Sequence, residues 1–153
     1  MVGYVLEKTM SRNGSVSRGV CTVNNGQLES IVENLKIYFE GDKVISDMGD
    51  KKVQLTGKET VSMNLFGFGP KAFEQFNIYW ENFIKNNVTA EKTEALLPVV
   101  ASDIIHEGKG TMKVYTSEES WFGMTYPEDR EVVKAEIAKK ITEGYYPAVL
   151  WEK

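Results

Sequence analysis

Residues 17–23 and 27–36 are two runs rich in β-branched and apolar side chains, with only Asn24-Asn25-Gly26 between them. An Asn-Gly pair tolerates the positive φ angles of a tight two-residue turn, so this spacing dictates a β-hairpin and commits the chain to antiparallel sheet. Asn13-Gly14 punctuates the approach to the hairpin, after a further extended run over 4–9. Residues 43–47 and 51–56 flank Met48-Gly49-Asp50 and suggest a second hairpin, polar enough to be expected as a protrusion. Residues 61–68 (VSMNLFGF) form the most apolar run and the expected most buried strand, with a polar Asn64 in its middle.

The second half reads mostly as helices. Gly69-Pro70 ends the apolar run and opens a helix, since proline is accepted in a first turn. Phe73, Phe76, Trp80, Phe83 and Ile84 then fall on one helical face, an aromatic stripe expected to pack beneath the sheet. A second helix is expected over 98–106, because Leu97 before a proline is biased away from the α region. Residues 111–116 read as a strand and 121–125 as a short extended piece. The last helix has capping-box spacing at Thr125 and Glu128, an apolar face of Val132, Val133, Ile137 and Ile141, and Gly144 as its stop. The fold class is α/β, a mixed sheet with flanking helices, and residues 1–153 form a single unit.

Composition narrows function by exclusion. The 153 residues carry 18 Lys+Arg against 22 Asp+Glu, a net charge of −4, with the cations scattered among acids. That distribution argues against nucleic acid as the default partner. No run approaches the ~18 apolar residues of a membrane span, so no membrane partner is expected. The N-terminal residues lack a basic segment followed by an apolar one, and the expected location is cytoplasmic. One cysteine, Cys21, and one histidine, His106, leave no disulfide, no Cys-based zinc cluster and no multi-histidine metal site. Cys21 reads as a buried inert thiol, and His106 as a structural group at a helix end. No P-loop, GxGxxG turn, nucleophile elbow or HExxH is present.

Five segments in order resemble the bacterial sugar-nucleotide nucleotidyltransferases, pyrophosphorylase-like enzymes that couple a sugar 1-phosphate to a nucleoside triphosphate. They are TMSRNGSVSRGVC from Thr9, IVENLKI from Ile31, VSMNLFGF from Val61, EALLPVV from Glu94 and WFGMTYPED from Trp121. The resemblance runs to Leu150-Trp151 and so covers nearly all of the chain. It implies the C-terminal, sugar-binding half of a nucleotide-diphospho-sugar transferase (GT-A-like) domain. The family's Gly-rich phosphate loop and its first acidic metal ligand, both in the N-terminal half, are not in this sequence, and Gly69 stands near the position of its second metal aspartate. The chain is thus expected to be inactive alone, with Mg²⁺ expected only in the complete enzyme.

The resemblance also implies site residues. Arg18-Gly19-Val20 stands where the family often has Tyr-Gly-Val, and there the glycine lets a sugar hydroxyl approach the backbone. Glu33 resembles the acid that accepts hydrogen bonds from sugar hydroxyls, and Lys36 the lysine that meets the sugar phosphate. Asn64 is placed at the pocket floor, Glu94 as another sugar-facing acid, and Trp121 and Thr125 at the same end of the cleft. Read from the residues alone, Gly19 also fits a β-bulge, and Glu33 and Lys36 fit two solvated charges on a sheet edge. Three residues apart on a regular strand, the pair would face opposite ways unless a bulge intervened. Two other function classes stay open: a non-catalytic sugar-phosphate or nucleotide-sugar binding module, and a protein-interaction domain that uses its uncovered edge, through which a homo-oligomer could also form.

Overall fold

A computed structural model describes residues 1–124 and 126–149. Seven strands make one mixed sheet in the order β5-β4-β3-β2-β6-β1-β7. They are β1 (Val2–Val5), β2 (Val16–Asn24), β3 (Gln27–Glu40), β4 (Lys43–Asp47), β5 (Lys52–Leu55), β6 (Thr60–Ser62) and β7 (Tyr115–Ser117). Every pairing is antiparallel except the parallel β1–β7 edge. The expected hairpin joins β2 to β3 across Asn25 (φ 48°) and Gly26 (φ 75°), both in the left-handed region that a tight hairpin turn demands.

Apolar side chains fill both faces of the sheet. On one face Leu6, Val16, Ile37, Val44 and Val61 form a core closed by the 3₁₀ turn Leu6–Thr9. That turn replaces the second half of the strand expected over 4–9. On the other face Leu28, Ile31, Met112 and Val114 pack with Ala101 and Ile105 of α2 (Leu97–His106). β4 is more than a protrusion, because Val44, Ile45 and Ser46 are all buried. Ser46 donates its hydroxyl to the Asn34 side-chain oxygen at 2.7 Å, which ties β4 to β3 inside the fold.

Two further sequence expectations need correction. The run 61–68 is not one buried strand: β6 ends at Ser62, and Asn64 is exposed with φ 58°. The apolar side chains after it serve a covering segment, where Phe66 and Phe68 stack at 5.5 Å and pack against the α2 side of the sheet. The aromatic stripe is not core either. α1 (Ala72–Asn87) buries no residue, and Phe73 and Trp80 remain 62% and 52% exposed. Its ring–ring contacts are with one another and with Phe68. The capping box expected at Thr125 has its first member outside the described residues. At the start of α3 (Asp129–Thr142) the Asp129 carboxylate accepts the Tyr126 N–H at 2.8 Å, and also bonds to Ser11 and Asn13.

Candidate functional site

β2 and β3 bring the first candidates together. Gly19 lies opposite Glu33 on β3 and opposite Ser62 on β6, so these three residues share one face of the sheet. No bulge interrupts the pairing at Gly19. A Cβ there would meet Ile31 Cγ2 at 2.7 Å and Glu33 Oε2 at 3.2 Å, so close packing against β3 requires the glycine. Gly19 itself is buried. The neighbouring Glu33 carboxylate accepts the Ser17 hydroxyl at 2.8 Å, while one side of it remains open to solvent.

The bulge occurs further along β3. Val16 pairs with Ile37 but Arg18 pairs with Asn34, so two residues of β2 span three of β3, and the extra residue falls at Leu35-Lys36. An inserted residue reverses the alternation of side chains beyond it. Ile37 and Asn34, three apart, accordingly both face the buried side, bonded or packed to β4, Val61 and Val44. Lys36 is thereby returned to the face of Glu33. Both line one open depression of about 580 Å³, with Asp47, Met48 and Gly49 of the β4–β5 turn as its far wall. The Lys36 ammonium lies 3.3 Å from Asp47 Oδ2. The Gly49 N–H and the Lys36 ammonium hold the Asp47 carboxyl below its ordinary range.

Arg18 and Trp121 belong elsewhere. Side chains alternate along β2, so Arg18 faces away from Gly19 and is buried on the reverse side of the sheet. Its Nε donates to Thr9 Oγ1 at 3.0 Å, its other nitrogens donate to the carbonyls of Thr9 and Ser17, and its guanidinium lies 5.0 Å from the Trp121 ring centre. Burial lowers the Arg18 pKa, against the opposing pull of Glu33. The two residues therefore meet each other and not the Glu33 depression. Asn64 does not line it either: its N–H donates to Ser62 Oγ at 3.1 Å, at the end of β6. Glu94 is exposed in the segment that leads into α2. Thr125 lies outside the described residues. Cys21, on the same face as Gly19, is half-buried rather than buried, and desolvation pushes its thiol pKa up to about 12, which favours the protonated form at neutral pH.

Sequence reasoning missed Ser17 and Asp47. Ser17 was legible in principle, because it lies two residues before Gly19 and so shares its face. Asp47 was not, since its place depends on how β4 and the bulged β3 align. Among the described residues no three acidic, histidine or cysteine side chains converge into a group that could hold a metal ion. No helix among them is long and apolar enough to cross a membrane. Comparison with known proteins yields no match, either to a family model or to a curated protein.

Proposed function

We propose that the chain is the sugar-phosphate-binding half of a nucleotidyltransferase-like α/β domain. The observation that carries this reading is the β3 bulge, which sets a carboxylate and an ammonium on one face of one depression. A sugar 1-phosphate needs that pair: Glu33 accepts hydrogen bonds from ring hydroxyls, and Lys36 neutralises the phosphate. In the complete protein a phosphate oxygen of the sugar attacks the α-phosphorus of a nucleoside triphosphate. A new P–O bond forms, the bond to the β-phosphate breaks, and pyrophosphate leaves. Catalysis of this kind is mainly positioning and charge neutralisation, and this chain contributes the positioning of the sugar.

The surface area agrees with a part of a larger unit. A compact monomer of 17.3 kDa exposes about 7,800 Å², whereas this chain exposes 10,686 Å². The exposed apolar face of α1, which buries no residue, favours the second reading, a protein-interaction domain. Titration with a panel of sugar 1-phosphates separates the two. Saturable binding weakened at least tenfold by Glu33→Gln supports the sugar-phosphate reading. No binding by any member of the panel contradicts it and leaves the interaction domain.

A further inference from the structure

We infer that Asp47 competes with the phosphate of the ligand for the Lys36 ammonium, and so sets how strong an anion the Glu33–Lys36 depression accepts. The inference rests on the sugar-phosphate reading and adds to it the control of its anion subsite. The Asp47 carboxylate is fixed from behind: its Oδ1 accepts the Gly49 N–H at 3.1 Å, which closes the β4–β5 turn on the side chain. Its Oδ2 faces Lys36 Nζ at 3.3 Å. The side chain of Asp47 is 17% exposed and that of Lys36 58% exposed, so the carboxylate stays while the ammonium is free to move. Lys36 therefore already has an anionic partner before any ligand arrives.

The surrounding charges moderate this competition without ending it. Lys52 lies opposite Asp47 in the β4–β5 register and its charge acts on the Asp47 carboxylate, but its ammonium is held near Tyr38, 5.8 Å from the ring centre. Lys36 also approaches that ring, at 5.9 Å. Glu33, on the same depression, adds a second negative charge. A ligand that draws Lys36 away must offer it a stronger partner than a single carboxylate. A dianionic phosphate monoester does so, and a monoanionic carboxylate such as that of a uronic acid does not. The depression is thus selective for phosphate over carboxylate through one exposed ion pair.

The substitution Asp47→Asn tests this cleanly, because the amide oxygen can still accept the Gly49 N–H while the charge is gone. Inorganic phosphate is the probe, followed through the amide resonances of Lys36 and Gly49. Removal of an exposed ion pair should tighten phosphate binding by about two- to fivefold. The gain should vanish in a Lys36→Met background. Unchanged, weaker or undetectable phosphate binding in Asp47→Asn overturns the inference, as does a gain that survives Lys36→Met. A parallel titration with α-D-glucose 1-phosphate keeps the two claims apart. If that ligand binds no better than inorganic phosphate and ignores Glu33→Gln, the sugar subsite fails while the Asp47–Lys36 competition stands on the phosphate result.

Discussion

The Arg18 guanidinium donates from Nε to the Thr9 hydroxyl at 3.0 Å, a buried bond that fastens β2 to the 3₁₀ turn ahead of it. The same side chain bonds the carbonyls of Thr9 and Ser17. Arg18 is therefore a structural residue of the sheet's reverse face. Replacing it by Met leaves buried acceptors unpaired, which costs about 1–3 kcal/mol. Urea denaturation reads that loss as a lower midpoint. A midpoint equal to the wild type would show that these bonds do not hold the turn.

Trp80 gives the opposite expectation. Its ring stacks on Phe83 at 5.9 Å and 12°, but half of it faces solvent. Trp80→Ala should cost only the aromatic pair, about 0.5–1.5 kcal/mol, rather than the 3–5 kcal/mol typical of a core tryptophan. Denaturation of the isolated chain distinguishes these ranges. A core-sized loss would mean that α1 is packed more deeply than its exposed stripe indicates.

Glu59 makes stability depend on pH in a defined direction. Burial pushes its carboxyl up, but bonds to its Oε1 from the Thr56 N–H at 2.8 Å and the Thr56 hydroxyl at 2.9 Å help to outweigh burial and lower it. A folded pKa below the unfolded one means that Glu59 stabilises the fold above its unfolded pKa, about 4.3. That stabilisation is lost as pH falls through the folded value. The wild type should thus exceed Glu59→Gln in stability at pH 6, and the gap should shrink progressively as pH falls below about 4.3. A gap constant from pH 6 to pH 3 would contradict the assignment.

What the sequence discloses here is what short-range chemistry decides. Asn25-Gly26 specifies its hairpin because a tight turn needs left-handed residues wherever it occurs, and Gly144 (φ 82°) closes α3 as its position predicts. The run 61–68 misleads because an apolar count does not separate a strand from a segment that covers one. The α1 stripe is legible as an amphipathic face, but a periodicity carries no information about what lies against it. The candidate site divides along the same line. That Gly19 and Glu33 are polar-site residue types is visible in sequence, while their pairing across β2 and β3 is a matter of register. The turnover of Lys36 onto the Glu33 face depends on a single inserted residue, and the expected companionship of Arg18 with Gly19 fails on strand alternation alone.

The central claim is that Glu33 and Lys36 form one sugar-phosphate subsite, and amide chemical-shift mapping tests it most directly. On titration of the chain with a sugar 1-phosphate that binds, shifts should concentrate at Glu33, Lys36 and Gly49, which line the 580 Å³ depression, and at Ser17 and Gly19, which neighbour Glu33 on β2. They should be absent from the Arg18–Trp121 side of the sheet. Shifts confined to that reverse side, or to the separate cavity between Lys71, Lys109 and Lys113, would contradict the account.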